Sequence, residues 1–196
     1  MKRSPSPLTG FVIRVFAWLP VMFALWYLAA PVLMWPVVLL LHGVAAVAFR
    51  DLVSSVDQTM GIVTFGTLLH PGHALTRGQV AVDVNLLLYS YGMPLLAALT
   101  VAARERAWKG KLALGYVAML PFVTCGALAD FLKNVSITAA PSVAAQAGFS
   151  AVQREAIVFA YQFGSLILPP VVPAILWVVM HRAFLERLRE GPRGQP

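Results

Sequence analysis

Three pairs of polar side chains sit at helical spacing near the ends of long apolar segments. Asn85 and Tyr89 are four residues apart, Asp130 and Lys133 three, and Glu155 and Gln162 seven, with Tyr161 beside the last pair. In a helix each spacing puts both members on one face. Ionisable groups beside hydrocarbon are costly unless paired or hydrated, which makes them candidates for binding or ion handling. Two readings stay open. Either these residues converge on one site at the outer ends of the spans, or Asp130–Lys133 is an interfacial pair and the others are helix-to-helix hydrogen bonds. A convergent site would suit a docking subunit or a small transporter or ligand-binding membrane bundle with an outer-facing polar site.

Catalysis finds little support. No Gly-x-Ser-x-Gly, His-Glu-x-x-His or P-loop pattern occurs. The single cysteine, Cys125, cannot make an intrachain disulfide, and with no histidine near it in sequence it reads as a buried, inert thiol. His42 interrupts an apolar piece without a second ligand at helical spacing. His70 and His73 are three residues apart, but Pro71 and Gly72 between them favour a plain turn over a metal-binding face. The expectation is a protein with no catalytic residue, no metal and no cofactor.

The elements that must position these residues are set by composition. Apolar letters make up 59% of the 196 residues and charged ones only 12%, against about 25% charged in soluble proteins. Mean hydropathy is +0.76. The net charge of +7 does not point to nucleic acid, because the basic residues sit at the ends of apolar segments rather than on one solvated face. The expected fold is a single membrane domain: an all-α polytopic bundle of four transmembrane helices at 11–30, 85–103, 112–132 and 156–180, with membrane lipid as its surroundings. A basic cytoplasmic lead (1–10) precedes the first span, and a cytoplasmic tail (181–196) follows the last.

Between the first two spans the pattern changes. Pro31 and Pro36 interrupt the apolar run, so 37–49 reads as a separate, interfacial helix, being short for a span. The 50–84 region is mixed. Its β-branched runs at 62–68 and 79–84, separated by turn formers, predict a small extracytoplasmic β-hairpin. The second run alternates, with Val80, Val82 and Val84 on one face and Gln79, Ala81 and Asp83 on the other. The segment 134–153 reads as an exposed loop. In the last span, Pro169, Pro170 and Pro173 lack amide hydrogens and leave carbonyls four residues earlier without donors, which predicts a kink.

The basic residues then orient the chain. With both termini and the 104–111 loop on one side, that side holds eleven Lys and Arg and the other only Arg50, Arg77, Lys133 and Arg154. The rich side is cytoplasmic.

The sequence resembles the bacterial exosortase H-associated membrane proteins. The matching pieces are Arg14-Val15-Phe16-Ala17-Trp18-Leu19-Pro20 with Trp26-Tyr27 and Ala30-Pro31, then Asn85-Leu86-Leu87-Leu88-Tyr89-Ser90-Tyr91-Gly92-Met93-Pro94-Leu95. The third runs from Glu155 through Ala160-Tyr161-Gln162-Phe163-Gly164 to Leu168-Pro169-Pro170. The resemblance implies a multi-pass protein of the bacterial inner membrane, an accessory of a system that recognises, cuts or transfers proteins bearing a C-terminal sorting tail. Its implied partner is an exosortase-type membrane enzyme or that enzyme's tailed substrate. It carries over no catalytic residue. A reporter fused after residue 80 is expected to be extracytoplasmic, and a cytoplasmic signal there would contradict the orientation.

Overall fold

The computed structural model describes residues 7–71 and 78–190. His73, Arg77, the basic lead with Lys2 and Arg3, and Arg193 in the tail lie outside them. The first element corrects an expectation. Helix α1 runs unbroken from Pro7 to Ala48, 42 residues, through both Pro31 and Pro36. A proline within a helix forfeits one hydrogen bond, a loss that a helix of this length tolerates. At 1.5 Å per residue α1 is about 63 Å long, roughly twice a bilayer core. It therefore extends beyond the hydrocarbon.

A three-stranded antiparallel sheet follows, in the order β1 (Val53–Thr59), β2 (Ile62–Thr67), β3 (Ala81–Asn85). The expected pairing of the 62–68 and 79–84 runs is present as β2–β3, with Phe65 opposite Val82. Strand β1 is an addition. Its register shifts between Val53 and Ser55, which spoils the alternation that marks a strand in sequence. Gly66 lies against that irregularity, where a Cβ would sit 2.6 Å from Ser55 Oγ. Val63, Phe65, Val84 and Leu86 are fully buried, and Phe65 stacks on Phe131 with ring centroids 4.3 Å apart. A third strand and this packing give the element what an isolated hairpin lacks.

The second expected span, 85–103, is instead two short helices, α2 (Leu87–Ser90) and α3 (Gly92–Ala102). Asn85 accepts from the Leu87 amide at 3.0 Å and starts α2. Together Leu87–Ala102 spans about 24 Å, less than a bilayer core. Three stretches are long and apolar enough to cross a membrane: Pro7–Ala48, Trp108–Thr138 and Ala151–Met180. The four expected spans thus become three full-length ones and a short apolar helix.

Helix α4 (Trp108–Lys133) runs into a π-helical turn at Asn134–Thr138. The expected loop beyond it holds α5 (Pro141–Gln146), with proline at its first turn. Helix α6 (Ala151–Gln162) opens on a capping box in which Ser150 and Gln153 each bond the other's backbone amide. It continues through a second π turn, Phe163–Ile167, into α7 (Leu168–Met180) and then α8 (Arg182–Glu190). The irregularity expected at Pro169 and Pro170 is this π turn. There the Leu168 amide reaches back five residues to Phe163 O, and Ser165 Oγ donates to Tyr161 O at 2.7 Å.

By contacts the chain forms two compact units. One comprises Met1–Leu28, Tyr91–Met119 and Pro170–Pro196; the other comprises Ala29–Ser90 and Leu120–Pro169. In the first, Phe11, Trp177 and Phe184 pack ring to ring, and Arg14 donates to Ala102 O at 3.1 Å. In the second, backbones meet without side chains between them. A Cβ at Gly126 would lie 2.6 Å from the Tyr89 ring and 3.3 Å from Gly164 O. Gly126→Leu should therefore cost about 1–3 kcal/mol by overpacking, read as a lower unfolding temperature and reduced membrane level. Gly43→Ala, with nothing within 4 Å of its Cβ, should be neutral or stabilising; equal losses in both would contradict the packing.

Candidate functional site

The polar residues that come together lie on α4 and the elements facing it. Asp130 is 8% exposed. Its Oδ1 accepts from Lys133 Nζ at 3.1 Å and from Asn134 Nδ2 at 3.1 Å, so one oxygen serves neighbours three and four residues on. The Lys133 ammonium also sits 4.0 Å from the centroid of the Tyr161 ring, a cation–π contact that ties α4 to α6. Tyr89 is 2% exposed and lies close enough to Asp130 and Tyr161 for its hydroxyl to feel both. Its ring rests against Gly126, where only a glycine leaves room.

Four of the residues singled out in the sequence, Tyr89, Asp130, Lys133 and Tyr161, therefore meet. The other three do not. Asn85 is spent on the start of α2. Glu155 and Gln162 are exposed on α6 and make no side-chain hydrogen bond or ion pair among the described residues. Helical spacing places two residues on one face without saying which way that face turns. Asn134 was missed as a member, although its spacing of four from Asp130 was available.

Chemically the cluster is a closed charge pair on an aromatic platform. The carboxylate and the ammonium pair with each other rather than with a charged group on another element. Among the described residues no three His, Cys, Asp or Glu side chains gather to hold a metal. His70 is tied down through its backbone, its N–H donating to Gln146 Oε1 at 3.1 Å and its C=O accepting from Gln146 Nε2 at 2.9 Å. Cys125 is exposed rather than buried. It lies on the outer face of a helix long and apolar enough to cross a membrane.

A second hub went unforeseen at Glu105, within what reads in sequence as a plain basic loop. Its carboxylate pairs with Lys111 and with Arg187, the latter at 3.0 Å, and His181 Nε2 lies 3.6 Å away. His181 is fully buried and its Nδ1 lies 3.0 Å from Trp177 O. A carbonyl only accepts, so Nδ1 carries the proton and the lone pair of Nε2 faces the Glu105 pair. Burial holds the imidazole below its ordinary value, with Lys111 adding to that, against the Trp177 hydrogen bond and Glu105. It is neutral at neutral pH.

The family model of the exosortase H-associated membrane proteins matches residues 5–184, nearly the whole chain. No curated protein and no solved structure matches it.

Removing one partner of the Asp130–Lys133 pair leaves the other uncompensated. Asp130→Ala should lower stability by about 1.5–3 kcal/mol, the range for hydrogen bonds to charged groups. Adding Lys133→Met should recover part of that loss. Strict additivity of the two changes in a double-mutant cycle would show that the pair does not couple.

Proposed function

The chain belongs to the exosortase H-associated membrane protein family, and from that premise we propose that it is a non-enzymatic inner-membrane accessory subunit of an exosortase-type sorting system. It binds the enzyme or that enzyme's tailed substrate. The observation that carries this reading is the far end of α1. The helix is about twice the length a bilayer core requires, yet apart from His42 the outward side of its second half is apolar. Val32, Trp35, Leu39 and Val47 follow one another at helical spacing, and Val47 is 83% exposed. Beyond the hydrocarbon such a stripe has no lipid to cover it, and exposed apolar patches of that kind are partner surfaces.

The distribution of basic residues supports an orientation with both termini cytoplasmic. Arg14 meets the end of α3, and Arg187 of α8 meets Glu105 in the 103–107 loop. The start of α1, that loop and α8 therefore lie together, as they must if both termini and the loop share the cytoplasmic side. Leu87–Ala102 then serves as the fourth crossing, short enough to need local thinning of the bilayer or snorkelling of its flanking Arg104. With that orientation the 50–84 region is extracytoplasmic. A transporter is disfavoured because Asp130 and Lys133 saturate each other while Glu155 and Gln162 stand apart.

Affinity purification of the tagged chain from its native membrane tests the proposal. An exosortase-type membrane enzyme or a protein with a C-terminal sorting tail is expected in the eluate. Val47→Asp should reduce that recovery at unchanged membrane level. Recovery of neither protein by the wild-type chain would contradict the accessory role.

A further inference from the structure

Around the Glu105 hub two cavities open, of about 650 and 660 Å³, both bordered by Arg104, Glu105 and Arg106. The first is closed by Lys111 and Arg187 and floored by apolar Phe184 and Leu188; the second is flanked by Trp18, Met22 and Trp108. Glu105 engages Lys111 and Arg187 and holds them in place as walls. No carboxylate among the described residues pairs with Arg104 or Arg106, and both are exposed at the rim. Arg104 takes a left-handed φ of 53°, a conformation that favours glycine, at the residue following the last turn of α3. An arginine there costs backbone energy, and no carboxylate among the described residues uses its charge.

The surroundings identify the ligand. Trp108 opens α4, and a tryptophan at a span end marks the membrane interface. Helix α8 is amphipathic, with Phe184, Leu185 and Leu188 half-buried and Arg182, Arg187 and Arg189 exposed, the form of a helix lying in that interface. A rim of unpaired guanidinium groups over an apolar floor matches a phosphate joined to a hydrocarbon body. Guanidinium offers phosphate two parallel hydrogen bonds, and basic pockets at span ends suit anionic headgroups.

We propose that this pocket binds the phosphate of an anionic phospholipid headgroup, with Arg104 and Arg106 as its ligands and Glu105 positioning Lys111 and Arg187 behind them. The site is independent of the docking surface on α1 and would stand if the accessory role fell.

The test reconstitutes the full chain in phosphatidylcholine vesicles and adds brominated phosphatidylglycerol, whose bromine quenches nearby tryptophans such as Trp18 and Trp108. Quenching is expected at a lower fraction of brominated phosphatidylglycerol than of brominated phosphatidylcholine. Each interfacial arginine contributes about fivefold, so Arg104→Gly with Arg106→Gln should weaken the apparent affinity roughly twenty-fivefold. That pair of changes relieves the left-handed φ, so the fold is kept; Arg104→Lys with Arg106→Lys should restore most of the binding. Arg154→Gln, a charge loss elsewhere, should change nothing. Equal quenching by both lipids, an unaltered Arg104→Gly/Arg106→Gln variant, or an equal loss in Arg154→Gln would overturn the site. Relief of quenching by inorganic phosphate would assign the pocket to a soluble phosphate compound and overturn the lipid.

Discussion

A carboxylate within an apolar helix must be neutralised where it stands, and the unit around Asp130 is arranged by that requirement. Asp130 takes Lys133 and Asn134 from its own helix, and the same ammonium is drawn onto the Tyr161 ring of α6. The charge pair thereby becomes a link between helices. It can do so only because the backbones already meet at Gly126 and Gly164, where no side chain intervenes. Without a hydrophobic drive between helices in lipid, such small-residue contacts and polar links are what hold spans together. Tyr89 closes the arrangement by filling the space beside Gly126.

The second constraint is that hydrocarbon offers backbone groups no water. It bears most on the prolines of the last span. At Pro31 and Pro36 the helix continues, and the Gln58 side chain donates to Pro31 O at 3.0 Å, which ties β1 to α1 beside the first of them. Ahead of Pro169 and Pro170 the chain inserts a π turn and recruits the Ser165 hydroxyl to a backbone carbonyl. In soluble proteins the same residues would be read as stops, because water can take over a broken bond.

That difference explains what the sequence could and could not reveal. The membrane character, the apolar stretches that became α4 and the α6-to-α7 run, the β2–β3 pairing and the family were legible, because hydropathy, alternation and short motifs are local signals. The break expected between 30 and 37 was an inference from soluble-protein rules. Four spans are not confirmed: Leu87–Ala102 is a shorter apolar stretch, and α2 and α3 divide at Tyr91, which hydropathy does not register. Strand β1 was hidden by its irregular register. Of the polar candidates, Asp130, Lys133, Tyr89 and Tyr161 were found by spacing, whereas the turning of Glu155 and Gln162 away from them depends on packing that spacing does not encode. Glu105 was overlooked because one acid among Arg104, Arg106, Lys109 and Lys111 reads as a solvated loop, and its partner Arg187 lies 82 residues away.

Function, on this account, resides in surfaces rather than in reactive groups. Asp130 and Glu105 are paired internally, and among the described residues the apolar stripe of α1 and the arginine rim near Glu105 are left for partners. The most direct measurement places a photo-crosslinking residue at Val47 of α1, with Phe16 as a lipid-facing reference, and irradiates cells expressing the native system. The account predicts a protein adduct at Val47, identified as an exosortase-type enzyme or a tailed substrate, and none at Phe16. Lipid adducts alone at both positions would contradict it.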